Sequence, residues 1–212
     1  MPTMGRPRAF DTERALDAAM EVFWRRGYEG ATMRELTEAM GINRPALYSA
    51  FGSKRGLFFR AIDLYYSLEA VHTFHALLEP TAIRVTEQYL RRSVEQLTRP
   101  DRPVGCFVLQ SALVCGPANA DLAQHMANLR EAAEKELRKR YLRAQVDGDL
   151  PPDEDAASLA RVVVTFRHGL AVMACSGTSR PDLEDAVGRF LAPWTAHRHC
   201  PNSTGCMKGG GW

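Results

Sequence analysis

The chain lacks three short motifs that would mark an enzyme. It has no G-x-S-x-G elbow, no G-x-x-x-x-G-K-[ST] phosphate loop and no H-E-x-x-H pair, so no nucleophile, nucleotide cradle or zinc-bound water is indicated. Its cysteines, Cys106, Cys115, Cys175, Cys200 and Cys206, are odd in number and include no C-x-x-C pair, which argues against a disulfide framework or zinc ribbon and for reduced thiols. No stretch approaches an uninterrupted membrane span, and the basic N-terminal segment has no apolar stretch of the signal-peptide kind. The expectation is a cytoplasmic protein with no membrane partner, no cofactor and no metal site. Alternating strand patterns and internal repeats are also missing, which leaves an all-α class. Net charge is only +2, but the positive excess gathers in the first sixty residues. A chain of 212 residues can bury one sizeable core and a small appended domain.

One dense motif stands against these absences, in the stretch from Ala31 to Phe51. Thr32 and Glu35 have the spacing of a capping box, in which the hydroxyl takes a first-turn N–H and the carboxylate returns to the cap residue. Leu36, Ala39 and Met40 then recur at helical spacing, and Gly41 is the residue type that reverses a chain at a helix end. Asn43 can cap a second short helix. Pro45 is tolerated in its first turn, and Leu47 and Phe51 keep one face apolar. Ser53 and Lys54 follow at once. Helix one precedes the pair, with Asp11 as its cap, the stripe Leu16, Ala19, Met20 and Phe23, and Gly27 at its end.

Two short helices about a glycine turn, with basic residues after them, are a helix-turn-helix. The second helix of such a pair enters the DNA major groove while the first crosses the backbone. Arg44, Ala46 and Ser49 are thus the candidate base readers, since Arg44 can fork onto guanine and a small Ala46 permits close approach or contact with a thymine methyl. Tyr48 and Lys54 are candidate phosphate contacts, and Thr32, Met33, Arg34, Asn43 and Pro45 complete the DNA-facing set. Arg6 and Arg8, flanking Pro7, form a basic arm for the adjacent minor groove or a frayed terminus.

Beyond residue 75 the pattern stays helical, with breaks expected at Pro80, Pro100 with Pro103, Gly116-Pro117, Gly148 with Pro151-Pro152, and Gly177 with Pro181. Asn119 to Asp147 reads as a solvated outer helix with Leu129, Ala133, Leu137, Tyr141 and Leu142 inside. Leu159 to Ala174 is apolar on nearly every side, and Leu183, Ala186, Val187, Phe190, Leu191 and Trp194 line one face of the next helix. Helices this apolar need cover on both sides, and a second copy in a four-helix interface supplies it. A homodimer would present two reading helices to a palindromic site in double-stranded DNA.

The span from Gly5 to Phe58 resembles the DNA-binding domain of the TetR/AcrR family of transcriptional regulators. Gly27-Tyr28, the start at Thr32, Gly41-Ile42, Leu47-Tyr48, Phe51 and Ser53-Lys54 stand at that family's spacing. Pro45-Ala46 departs from the family's frequent Gly-Thr and Ala50 from its frequent His, so Arg44 and Tyr48 carry more weight than Ala46. The resemblance implies residues 1–53 as DNA-binding domain with arm, 54–196 as helical effector-binding and dimerisation domain, and 197–212 as a flexible tail. It further implies a homodimeric repressor released from its operator by a small-molecule effector.

For the effector, Phe107, Gln110 and Ser111 share a helical face, and Arg167-His168 interrupt an apolar run. These are candidate pocket residues, although structural hydrogen bonds would explain the polar ones equally well. Cys106, at a helix start, and Cys115, nine residues on, are redox candidates or small core residues. His197, His199, Cys200 and Cys206 in the tail, and His72 with His75, do not match a standard zinc spacing. A cysteine- or metal-responsive regulator and an effector-free architectural DNA binder are the alternatives.

Overall fold

The computed structural model describes residues 11–113 and 116–196, except for the side chains of His72, Ala112, Leu113, Pro117, Thr195 and Ala196. Arg6, Arg8, Cys115 and the His/Cys tail lie outside the described residues. Nine α-helices and no strand are found among them: α1 (Thr12–Gly30), α2 (Met33–Met40), α3 (Arg44–Phe51), α4 (Lys54–Leu77), α5 (Ala82–Leu97), α6 (Phe107–Leu113), α7 (Ala120–Val146), α8 (Ala156–Cys175) and α9 (Arg180–Ala196).

Side-chain caps start most of these helices. Asp11 accepts from the N–H groups of Glu13 and Arg14, Thr81 from that of Arg84, and Asp155 from those of Ala157 and Ser158. Gly27 breaks α1 with φ 69° and ψ 175°, so the last residues of that span turn toward α2. Leu16, Ala19, Met20 and Phe23 of α1 pack with Leu36 and Met40 of α2 and Leu47 and Phe51 of α3. Leu57, Phe58, Ala61 and Ile62 of α4 are fully buried in the same cluster, so the first turns of α4 close the three-helix unit as well as leaving it. Full burial of each large apolar side chain contributes about 1.5–3 kcal/mol.

In the remaining bundle α5 packs on α4, α8 and α9, while α7 packs on α8 and α6. Distant segments are joined by polar contacts as well as apolar ones. The hydroxyls of Thr86 and Tyr141 share a buried hydrogen bond of 2.7 Å. Arg140 of α7 donates to the carbonyls of Leu77, Glu79 and Pro80, a favourable place for a cation at the C-terminal end of α4.

Three expectations are corrected. Pro181 does not break the chain but is the second residue of α9, where its missing N–H leaves no helical bond unmade. Leu142 is 44% exposed rather than inside, because the inner face of α7 at this level is held by Leu137, Tyr141 and Ala144. Helix α8 is long and apolar enough by length and composition to cross a membrane. Its mid-helix Arg167 and His168 nevertheless face neighbouring helices, and it packs on α7, α5 and α9.

Candidate nucleic-acid interface and internal cavity

The geometry of α2 and α3 follows from their caps. The Thr32 hydroxyl accepts from the Glu35 N–H at 3.2 Å, and Glu35 accepts from the Thr32 N–H at 2.9 Å and hydroxyl at 2.8 Å. These hydrogen bonds, the backbone one foremost, hold the Glu35 carboxyl below its usual pKa. Gly41 takes φ 65° and ψ 29°, a left-handed conformation that a side chain would strain, and turns the chain between the helices. The Asn43 side chain accepts from the Ala46 N–H at 2.9 Å, and the Ser53 hydroxyl accepts from the Gly56 N–H at 3.0 Å.

Leu47 and Phe51 face inward, leaving Asn43, Arg44, Pro45, Tyr48 and Ser49 exposed on the outer side of α3, with Ala46 half-buried. Thr32 and Arg34 are exposed at the start of α2, and Met33 is half-buried. Arg34 lies 3.6 Å from Glu38, but both side chains are largely in solvent, where such a pair is worth little. Lys54 is half-buried, its Nζ 4.8 Å from the centre of the Tyr28 ring. Desolvation lowers its pKa, opposed by Glu29 and Glu35. Asn43, Arg44, Pro45, Tyr48 and Ser49 are therefore gathered on one short, capped helix.

The N-terminal unit is tied to the bundle by charged groups. Arg102 reaches Asp17 at 2.8 Å and Glu21 at 3.2 Å, and Arg55 pairs with Asp121. Glu29 accepts from the Gly116 N–H at 2.9 Å and the Asn119 amide at 3.1 Å, which lowers its carboxyl pKa. Phe107 of α6 is fully buried, stacked on Trp24 and edge-on to Phe58 and Tyr65.

A cavity of about 240 Å³ lies behind that helix, bounded by α4, α5, α6, α7 and α8. Tyr65, Phe74, Leu77, Val108, Leu129 and Val164 give it apolar walls, with Glu69, Arg130, Glu136, Arg167 and His168 as charged or titratable groups. Arg167 donates to Glu69 at 2.8 Å and to the Ser93 hydroxyl at 3.1 Å, with both charged side chains largely buried. Burial, then the charges of Arg167 and Arg130, lower the His168 pKa to about 4, so its ring is neutral near pH 7.

Of the pocket candidates, Arg167 and His168 line this cavity. Phe107 and Ser111 are buried away from it: Phe107 faces the aromatic cluster of α1 and α4. Gln110 points to the opposite side, where it donates to the Val104 carbonyl and to the Cys175 sulfur. Cys106 is 4% exposed and lines the cavity beside Val108. Gly105 before it takes φ 93°, and a side chain there would collide with Cys175 and Gln110, so this turn aims α6.

Sequence reading missed Glu69 and Arg130. A signal for Arg130 existed, because Met126, Arg130, Ala133 and Leu137 fall on one helical stripe, but among many charged neighbours it read as solvated surface.

Residues 15–61 match a family model described as bacterial regulatory proteins, tetR family. Over 192 residues the chain is 31% identical to the HTH-type transcriptional repressor ComR of Escherichia coli (strain K12), covering 90% of this chain and 91% of that protein. It is also 31% identical over 191 residues to the HTH-type transcriptional regulator YezE of Bacillus subtilis (strain 168), covering 89% and 98% of the two chains. Among solved structures, a cysteine mutant of the TetR family transcriptional regulator CifR, complexed with 26 bp double-strand operator DNA, is similar with a TM-score of 0.85 and 39% identity, over 89% of this chain and 100% of that one.

Proposed function

The chain belongs to the tetR family of bacterial regulatory proteins and is a DNA-binding transcriptional regulator, and from that premise we propose a homodimeric repressor, released from a palindromic operator when a small molecule fills the cavity behind α6. In this reading Arg44 and Ser49 face base edges, with Ala46 at the point of closest approach. Tyr48, Lys54 and the starts of α2 and α3 hold phosphates, and Arg6 and Arg8 reach from the arm. Phosphate contacts fix register and supply salt-dependent affinity, while Arg44 gives the sequence preference. Cytoplasm is the compartment this work requires.

The observation that carries the release step is the position of α6. Val108 and Cys106, the residue just before the helix, face the cavity, while Phe107 between them lies against Trp24 and Phe58 of the N-terminal core. A ligand that prefers one setting of α6 therefore acts on the support of the reading helices. Release demands such a difference in affinity between the DNA-bound and free states. Dimerisation is supported by the outer face of α8 and α9, where Val162, Val172 and Met173 are about half exposed beside the stacked rings of Phe166 and Phe190. A neighbouring copy covering this face makes a four-helix interface and sets two reading heads on one site.

The test is titration of the purified protein against fragments of its own genomic neighbourhood, with competitor DNA, at two salt concentrations. Tight, salt-sensitive binding to a palindromic fragment, lost in Arg44→Ala/Tyr48→Ala, supports the reading. Binding no tighter than to competitor, followed by failure of selection from random DNA, opposes it. An operator affinity that no cavity ligand alters favours an architectural binder. A second reading rests on Cys106 lining the cavity: oxidant-sensitive operator binding that disappears in Cys106→Ala would make the thiol the responsive group.

A further inference from the structure

Two arginines and two glutamates line the cavity, and one of the arginines has a buried donor with no acceptor. Arg167 is matched by Glu69 at 2.8 Å, and Glu136 is matched by Lys139 at 2.6 Å. Arg130 is different. Its Nη1 is buried and has no hydrogen-bond partner among the described residues, although the side chain lines the cavity. His168, its ring neutral near pH 7, adds no charge to the cavity. A guanidinium N–H held from water without an acceptor is unfavourable, and a carboxylate presents planar acceptors that fit its fork. Elsewhere the wall is apolar, and the volume of about 240 Å³ is below the roughly 300 Å³ at which pockets for drug-sized ligands begin.

We infer that the cavity takes a small amphipathic monocarboxylate, its carboxylate accepting from Arg130 and its apolar body lying among Leu77, Leu129 and Val164. The inference rests on the reading of this cavity as the effector site, but the two fail separately. Arg167 remains committed to Glu69 and Ser93, so one anionic group is accommodated, and a second would meet the Glu69 and Glu136 carboxylates.

Calorimetric titration of the full chain with octanoate, octanamide, octylammonium and hexadecanoate tests it. Octanoate is expected to bind at least tenfold more tightly than octanamide, with octylammonium weaker still and hexadecanoate gaining nothing from its extra length. In Arg130→Met, octanoate and octanamide are expected to bind alike, whereas Arg130→Lys keeps a preference for the acid. Equal binding of acid and amide to the unaltered protein, preference for the amine, absence of binding by all four probes, or an acid preference that survives in Arg130→Met overturns the inference. The unaltered-protein comparison stands even if a variant fails to fold. Acid-selective binding that leaves operator affinity unchanged supports the ligand class and overturns the release reading. Equal binding of octanoate and octanamide, with release of the operator by both, does the reverse.

Discussion

In the N-terminal helices the polar groups that shape the fold sit at helix ends, three residues from their partners, as with Thr32 and Glu35, Asn43 and Ala46, and Ser53 and Gly56. The bundle has such caps too, at Thr81 and Asp155, but adds mid-helix groups whose partners are far away in sequence: Arg167 meets Ser93 across 74 residues and Glu69 across 98. The first arrangement shapes the head through contacts that are local in sequence. The second makes the packing of α4, α5 and α8 depend on a few buried charges, which is the kind of core that can hold two settings.

That contrast is broken most easily at Arg167. Arg167→Met removes the cation facing the buried Glu69 carboxylate and is expected to destabilise the fold by about 3–5 kcal/mol in urea unfolding. A loss below about 1 kcal/mol would place the bundle's stability elsewhere. Thr32→Ala and Asn43→Ala should each cost only about 1 kcal/mol, the usual worth of an N-cap, and their effects should add to that of Arg167→Met. Strong coupling between the caps and Arg167 would mean that head and bundle are one cooperative network.

A pH titration sharpens the difference further. His168 has a pKa of about 4 in the fold against an ordinary 6.5, so between these values the unfolded chain takes up a proton that the folded chain does not. Stability should therefore fall as pH drops from 6.5 toward 4. After discounting for its partial exposure, the loss by pH 5 is about 1 kcal/mol or less. His168→Gln should remove this part of the slope, and an unchanged slope would assign it to other groups. The smallest effect is expected at Lys54. Lys54→Ala should weaken binding to all DNA sequences alike and reduce the salt slope by about one phosphate contact, and an unaltered slope would end its role as an anchor.

The same contrast explains what was legible in the sequence. A cap, a turn glycine and a short apolar stripe are local patterns, so the capping box at Thr32, the left-handed Gly41 and the burial of Leu47 and Phe51 could be read directly. The cavity is assembled from α4, α5, α6, α7 and α8, and no local pattern says which faces meet. Arg167 and His168 were visible because they interrupt an apolar run. Glu69 was not, since the helix around it is apolar on one side and mixed on the other, and Arg130 was hidden among the charges of α7. The sequence pattern makes Phe107 a pocket candidate on one face with Gln110 and Ser111, but the turn at Gly105, with its positive φ, precedes a helix that sets Phe107 against Trp24 instead. Pro181 misled because a proline can open a helix as readily as end one.

The claim that α3 is the reading element is tested most directly by selecting bound sequences from random DNA with the unaltered protein and with Arg44→Ala. The account predicts a palindromic preference in which one base pair of each half-site relaxes in the variant, with about 1–3 kcal/mol lost at that position and the rest of the profile retained. An identical profile for the two proteins would contradict it, because Arg44 would then read no base.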